Sequence, residues 1–418
     1  THDDLAVLAD PDMISKVSQG VTTVVVGNCG ISGSPAQLNH SQVPDPMNLL
    51  GQPGEFQFKS LSAYKTKIDE NKPALNVAAL IGHTTLRNNH LTDLSKAASK
   101  SQLNAMQKDL EKAMSSGALG LSSGLAYANA RNSPPSEIEN LLNIVNRYNG
   151  VYTTHLRNEF SMVIDAMKEA ISSSSKAHVP LVISHHKVAG PENWGRSTET
   201  LKLLDSHKER IEVSCDCYPY SASSSTLDLS QVTEKIKIKI TWSDPHPECA
   251  GKTLEEVAKQ WNKSQLDTAK ELQPAGAIYY NMHFNDVQQI LCWDRCMIGS
   301  DGLPCDPNPH PRLYGSFSKV LGPLVRNQSL FSLTTAIYKM TGLPASVFPL
   351  GKRGRIKEGY AADLLLFDPK QINDRGTFEN PRQLSSGILG VWVNGELTYK
   401  EDTGILARNG QFLDRTTL

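Results

Sequence analysis

Residues that can bind a metal or move a proton recur at the C-terminal ends of short apolar segments. They are His2, Cys29, His83, His155, the pair His185 and His186, Tyr218 and Asp301. A single histidine at such a place is usually structural. Several at equivalent strand ends indicate one shared site, because the ends of the parallel strands of a barrel converge on one face. The pattern therefore predicts a catalytic site to which many strands contribute.

The residue types in this set suit a zinc ion. Cysteine sulfur and histidine nitrogen are ligands of Zn²⁺, which is usually tetrahedral and, in catalytic sites, leaves one position open for water. Zinc acidifies a bound water and polarises a carbonyl, so such a site can hydrolyse an amide without a covalent intermediate. A neighbouring carboxylate can take the proton of that water and pass it to the leaving amine. Asp301 is predicted to play this general base and acid role.

Seven short segments with strand character must position these residues. Many of the segments between them have the periodicity of an amphipathic helix. The predicted strands are residues 22–27, 76–82, 118–122, 151–155, 179–185, 211–218 and 296–301. The predicted helices include residues 101–115, 135–147, 161–172 and 197–207. Strands that alternate with helices indicate right-handed βαβ units and a parallel sheet.

With an eighth strand before His2, the strand count predicts an α/β protein built on a (β/α)8 TIM-like barrel. A doubly wound open sheet is the alternative, and the lack of a glycine-rich phosphate loop disfavours it. We expect the barrel to cover residues 1–349, truncated at its N-terminal end, with an insertion near residues 227–277. Residues 350–418 are predicted to form a small β-sandwich domain whose N-terminal half is missing, with strand segments at 351–356, 363–367 and 391–393.

Composition narrows the class of protein. The chain has 418 residues, a net charge of −1 and no apolar stretch of the length that a membrane span needs, so we expect neither a nucleic-acid nor a membrane partner. Its seven cysteines do not suggest a disulfide framework, and reduced thiols predict a cytoplasmic enzyme that acts on a small molecule. These patterns do not predict an oligomeric state.

Ten segments of the sequence resemble the D-aminoacylase family (N-acyl-D-amino-acid deacylases) of the amidohydrolase superfamily. They are THDD at 1–4, QGVTTVVVGNCGIS at 19–32, GHTTLR at 82–87, GALGLSSGLAY at 117–127, HLRNE at 155–159, ISHHKVAG at 183–190, NWGRS at 193–197, DCYPY at 216–220, GSDGLPCDPNPHPR at 299–312 and GRIKEGYAADLLLF at 354–367. The resemblance covers nearly the whole chain. It implies a metal-dependent amidohydrolase barrel that hydrolyses the amide bond of N-acyl-D-amino acids to a D-amino acid and a carboxylate.

The resemblance also implies the role of each matching residue. Cys29, His155 and His185 resemble a tight zinc site, and His2 resembles half of a weaker second site that Cys29 would bridge. Asp301 resembles the general acid and base. Lys187, Tyr218 and Arg312 resemble the groups that hold the α-carboxylate of the substrate. The second histidine of the weaker site would precede Thr1, so we expect that site to be incomplete in this chain.

Other residues near these segments receive different predictions. Neighbouring strand residues point to opposite faces, so only one of His185 and His186 can face the barrel axis, and the resemblance favours His185. We expect His83 to make structural hydrogen bonds and His310 to position Arg312.

Two other functions compete with this prediction. The first is a cyclic-amide hydrolase similar to hydantoinase or dihydroorotase; those relatives bridge two metals with a strand-four lysine, and residues 118–122 contain none. The second is an inactive barrel used for binding, which the presence of Asp301 and the tight ligands disfavours. A catalytically weak fragment is a third outcome that the truncation allows.

Overall fold

A computed structural model of the chain describes residues 1–38 and 42–416. Its centre is a parallel sheet of seven strands in the order β1-β2-β3-β4-β5-β6-β10. The strands are β1 (Thr23–Val26), β2 (Asn76–Gly82), β3 (Gly120–Gly124), β4 (Val151–His155), β5 (Leu181–Ile183), β6 (Val213–Cys217) and β10 (Cys296–Ile298). Each lies inside or within two residues of its predicted segment, so the sequence located all seven.

Helices cover the outer face of this sheet. The α-helices are α1 (Ala6–Ala9), α2 (Ile14–Val17), α3 (Leu61–Asn71), α4 (His83–His90), α5 (Lys100–Ser115), α6 (Ala128–Arg131), α7 (Pro135–Arg147), α8 (Val163–Ala177), α9 (Ser197–His207), α10 (Leu254–Trp261), α11 (Gln265–Leu272), α12 (Phe284–Cys292), α13 (Arg312–Lys319), α14 (Leu333–Met340) and α15 (Gly342–Val347). A π-helix spans Val320–Asn327. Pro135 occupies the first turn of α7, where its missing N–H leaves no hydrogen bond unmade.

Both faces of the parallel sheet are buried, which explains its continuous apolar segments. In β2, for example, Val77 and Ile81 pack with the helices, whereas Ala78 and Leu80 belong to a separate cluster on the inner face. The carboxyl ends of the strands carry the polar residues. The sheet therefore supplies a rigid base and presents the site at one edge.

The sheet curls so that its two outer strands approach each other. The backbone N of Thr1 donates to Val25 O at 3.1 Å, and the backbone N of His2 donates to Gly302 O at 3.3 Å. The first two residues thus touch both β1 and the segment that follows β10. Among the described residues, no hydrogen-bonded ladder joins β1 directly to β10.

Residues 223–279 interrupt the parallel pattern with a three-stranded antiparallel sheet in the order β7-β9-β8. Its strands are β7 (Ser223–Thr226), β8 (Ile238–Ser243) and β9 (Ala275–Tyr279). Together with α10 and α11 it encloses an apolar cluster of its own. The predicted insertion near residues 227–277 is therefore a folded unit, and it follows the carboxyl end of β6.

A second antiparallel sheet lies near the end of the chain, in the order β11-β12-β13-β14. Its strands are β11 (Leu364–Phe367), β12 (Ile388–Val393), β13 (Glu396–Lys400) and β14 (Gly404–Ile405). The predicted strand at 351–356 is wrong: these residues form bends and irregular backbone, and Gly351 and Gly354 have φ of 71° and 74°. Positive φ interrupts a strand, and glycine adopts it without steric cost. No α-helix of the described residues has both the length and the apolar character of a membrane span.

Candidate metal centre

The loop that follows β1 presents Cys29 to the inside of the curled sheet. Asn28 anchors it, because its Oδ1 accepts hydrogen bonds from Thr153 Oγ1 at 2.9 Å and Ser184 Oγ at 3.1 Å. Gly30 follows with φ of 79°, and a Cβ there would lie 2.6 Å from Gly124 N. Only glycine permits this close passage, so the loop can turn Cys29 toward the neighbouring strands.

Strand ends bring His155, His185 and Asp301 to the same place. His155 is the last residue of β4, His185 stands two residues after β5, and Asp301 stands three residues after β10. Cys29, His185 and Asp301 have φ of 54°, 38° and 47°. Non-glycine residues in this region store backbone strain, which occurs often at functional sites.

Cys29, His155 and His185 form a compact group of metal-ligand atoms. One donor atom from each lies within 4.8 Å of the other two. Cys29 Sγ is 3.2 Å from His185 Nε2, and the two imidazole rings meet edge to face with centroids 4.5 Å apart. A second group within the same limit joins His2, Cys29 and Asp301, with His2 Nε2 at 3.2 Å from Asp301 Oδ1. Cys29 is common to both groups.

The electrostatics of these groups suit a cation. Burial by itself raises the pKa of the Cys29 thiol, but His185, His155 and His2 outweigh burial and hold it well below its usual range. Burial likewise opposes the ionisation of Asp301, yet Arg312 and His185 keep its pKa well below the ordinary value. A thiolate and a carboxylate therefore face the same small space.

The negative charges of Cys29 and Asp301 raise the pKa values of two neighbouring histidines, His2 and His185. Burial lowers the pKa of His2, but its hydrogen bonds to Asp301 and Cys29 raise it to about 9. Burial and Lys187 lower the pKa of His185, while Cys29, Asp301 and Glu159 raise it to about 10. Protons on these rings neutralise charge that a metal ion would otherwise neutralise. The donor set of one sulfur and two nitrogens fits Zn²⁺.

Glu159 is part of this centre, and sequence reasoning missed it. Its Oε1 lies 3.1 Å from His185 Nδ1 and 2.8 Å from Lys187 Nζ. Its Oε2 lies 3.7 Å from His155 Nε2. The HLRNE segment could have indicated it, because this segment places a glutamate four residues after the predicted ligand His155.

Lys187, Tyr218 and Arg312 meet beside Asp301. Lys187 Nζ and Arg312 Cζ lie 5.9 Å and 4.5 Å from the centroid of the Tyr218 ring. Arg312 Nη1 is 2.9 Å from Asp301 Oδ2, and Arg312 Nη2 donates to Ser224 O at 3.1 Å. Arg312 is only 1% exposed, and within the described part of the chain its Nε has no hydrogen-bond acceptor. A buried guanidinium with an unused donor can bind an anionic ligand.

A cavity of about 990 Å³ opens over the metal-ligand groups. His2, His155, His185 and Asp301 lie on its floor. Its walls come from the loop after β3 and from the antiparallel sheet of β7, β8 and β9. Wall residues include Tyr127, Ser224, Thr226, Leu229 and Tyr279. The antiparallel unit is therefore part of the site and not a distant appendage.

Three other histidines, His83, His186 and His310, make the kind of contact that the sequence predicts. His83 Nε2 is 2.8 Å from Glu137 Oε1, a structural contact at the start of α4. His186 Nε2 is 2.9 Å from Thr200 Oγ1 on α9, so its ring points to the helices. His310 Nδ1 accepts from the backbone N of Arg312 at 2.9 Å and so orders the turn that carries the guanidinium.

Comparisons with known proteins relate the whole chain to a group of hydrolases. Residues 251–399 match the model of the amidohydrolase family. The chain is 44% identical over 416 residues to a D-aminoacylase of Alcaligenes xylosoxydans xylosoxydans, covering 100% of this chain and 86% of the relative.

Two solved structures are also similar. One is a D-aminoacylase described by one-metal activation and second-metal attenuation of its binuclear metal centre. It has a TM-score of 0.96 at 44% identity, with coverage of 99% and 87%. The other is an N-acyl-D-glutamate deacylase from Bordetella bronchiseptica, complexed with zinc and a phosphonate that mimics the tetrahedral intermediate. It has a TM-score of 0.94 at 42% identity, with coverage of 99% and 86%.

Proposed function

This chain belongs to the D-aminoacylase family of amidohydrolases, and on that premise we propose that it hydrolyses N-acyl-D-amino acids to a D-amino acid and a carboxylate. One observation carries the proposal: Cys29, His155 and His185 meet within 4.8 Å of one another, and the two histidines line the floor of a cavity together with the carboxylate of Asp301. The group combines soft metal ligands with a proton acceptor, as metal-assisted amide hydrolysis requires.

We assign Cys29, His155 and His185 to a tight zinc site. The short distance from Cys29 Sγ to His185 Nε2 supports this assignment, since it places a sulfur and an imidazole nitrogen close enough to bind one ion. A bound zinc ion would polarise the acyl carbonyl and acidify a water molecule. His2, Cys29 and Asp301 form the candidate for a weaker second site.

Asp301 is the group that moves the proton in this proposal. Its Oδ1 faces His2 and its Oδ2 faces Arg312, so the carboxylate is held in one orientation between two positive groups. Its low pKa keeps it ionised and ready to accept a proton from the attacking water. The same proton then passes to the leaving nitrogen, which departs as a neutral amine.

The α-carboxylate of the substrate is assigned to Arg312, Lys187 and Tyr218. The unused Nε of Arg312 supports this role, because a guanidinium donates charge-assisted hydrogen bonds to a carboxylate. Lys187 and Arg312 flank the same aromatic ring, so their charges add at one place. Arg312 Nη1 faces Asp301, and its Nε is the donor left for the carboxylate of the substrate.

We further propose that the curled sheet corresponds to a (β/α)8 barrel within residues 1–349, and that residues 350–418 form the small β-domain. The contacts of Thr1 and His2 with both outer strands support the barrel, because they bring the two edges of the parallel sheet toward each other. The four-stranded antiparallel sheet between Leu364 and Ile405 supports the second unit. A cyclic-amide hydrolase is disfavoured, since β3 has the sequence GLSSG and offers no bridging lysine.

A panel of N-acetyl-D-amino acids and N-acetyl-L-amino acids tests the proposed function. We expect release of acetate from D-substrates, with about one tightly held zinc per chain that leaves on chelation together with the activity. Hydrolysis of hydantoin or dihydroorotate in place of the linear amides would contradict the proposal.

A further inference from the structure

We propose that Glu159 is a positioning residue that fixes the proton of His185 on Nδ1 and thereby keeps Nε2 free to bind the metal. The inference rests on the metal site of the proposed function, but not on the identity of the substrate. It assigns a function to a carboxylate that the mechanism above does not use.

The geometry around His185 gives each nitrogen a different partner. Nε2 faces Cys29 Sγ at 3.2 Å, inside the metal-ligand group. Nδ1 lies on the other side of the ring, 3.1 Å from Glu159 Oε1. A neutral imidazole carries one proton, so a hydrogen bond donated from Nδ1 to the carboxylate leaves the lone pair on Nε2.

Lys187 competes with the Nδ1 proton of His185, because its ammonium group could donate to the same nitrogen. Its Nζ lies only 2.6 Å from His185 Nδ1 and 2.8 Å from Glu159 Oε1. An ammonium group has donors and no acceptor. If Lys187 donated to Nδ1, the single proton of the imidazole would move to Nε2 and block metal binding there. Glu159 prevents this by accepting from Lys187 and from His185 with the same oxygen.

The chain holds Glu159 in place by its backbone. Its carbonyl oxygen accepts a hydrogen bond from the backbone N of Ala189 at 2.8 Å, which ties it to the segment that carries Lys187. Asn158 Oδ1 accepts from the backbone N of Phe160 at 2.9 Å and closes the turn around Glu159. The side chain is 11% exposed, so the carboxylate has little freedom to leave its two partners.

Zinc affinity measured by competition with a chelator tests the inference without using activity. We expect Glu159→Ala to weaken zinc binding roughly 10- to 100-fold, as loss of the group that orients a ligand histidine typically does. The decisive variant is Glu159→Ala combined with Lys187→Met. Removing the competing donor should restore most of the lost affinity, although both charged groups are then absent.

Two further variants separate this role from a general loss of structure. Glu137 makes the same kind of contact with His83 in another part of the chain, so Glu137→Gln is a matched control that should leave zinc affinity unchanged. Glu159→Gln keeps an oxygen that can accept from Nδ1, so we expect a smaller loss than with alanine. If the alanine variant does not fold, the same rescue by Lys187→Met is sought in the glutamine background.

The results that overturn the inference are specific. Wild-type zinc affinity in Glu159→Ala would do so, and so would a folded double variant that binds zinc no better than the single one. A wild-type protein with no measurable zinc affinity would also overturn it. A wild-type protein that binds zinc but hydrolyses no N-acyl-D-amino acid would instead contradict the proposed function and leave this inference standing.

Discussion

Replacing Asp301 by alanine tests the proposed proton-transfer group separately from the proposed metal ligands. Asp301 is absent from the tight group of Cys29, His155 and His185, so we expect about one zinc per chain to remain bound. General acid and base groups typically contribute about 10²- to 10⁴-fold to a rate. The corresponding loss is roughly 3 to 5 kcal/mol of transition-state stabilisation, and it should appear in kcat for N-acetyl-D-amino acids.

The same substitution has a cost in stability that the structure also predicts. Asp301 Oδ2 lies 2.9 Å from the Nη1 of Arg312, which is 1% exposed. Removing one partner of a buried ion pair leaves an uncompensated charge and typically costs about 3 to 5 kcal/mol. We therefore expect a lower urea midpoint for Asp301→Ala, and a similar one for Asp301→Asn, which keeps the volume but not the charge.

The assay measures initial rates, zinc content and urea unfolding on the same preparations. Asp286→Asn is a suitable control, because Asp286 is a buried carboxylate that bonds Gly195 N and Ser197 Oγ in another part of the chain. It should lower stability while the folded fraction keeps most of its kcat. Near-wild-type turnover in Asp301→Ala would refute the proposed proton transfer. Loss of zinc in parallel with activity would show that Asp301 acts mainly as a ligand.

Three further predictions address the metal, the substrate and the fold. Cys29→Ala should lose the tightly held zinc, and metal analysis that finds zinc unchanged would contradict the ligand assignment. Arg312→Met should lower kcat/KM for substrates with an α-carboxylate by a factor of roughly 10 to 100 beyond its effect on amides that lack the carboxylate, at about 1.5 to 3 kcal/mol for a hydrogen bond to a charged group. Both classes of substrate lose the contact of Arg312 with Asp301, so equal losses would reject the role. Contacts with His83 and Arg87 outweigh burial and hold the pKa of Glu137 at about 2, below its ordinary 4.5. Its stabilisation is therefore complete above pH 4.5 and lost as the pH falls toward 2, so the wild-type advantage over Glu137→Gln in free energy of unfolding, about 3 kcal/mol at neutral pH, should vanish there.

The sequence predicted the parallel sheet because a strand buried on both faces must be apolar along its whole length. All seven parallel strands were located, and β2 and β4 have the predicted bounds. Prediction was less successful near the end of the chain, where residues 351–356 form bends in place of a strand. A short segment rich in glycine and charged residues has no hydrophobic periodicity that distinguishes a strand from an irregular loop.

The residue types at strand ends determined the chemistry that the sequence could predict. Because parallel strands share one direction, Cys29, His155, His185 and Asp301 had to converge whatever the details of packing. The sequence could not determine their partners. The contacts of Glu159 with His185 and of Arg312 with Asp301 depend on side-chain directions in loops and on distances of a few ångströms. Only the tertiary structure decides those, because they follow from how separate loops pack over one sheet edge and not from any local pattern of residues.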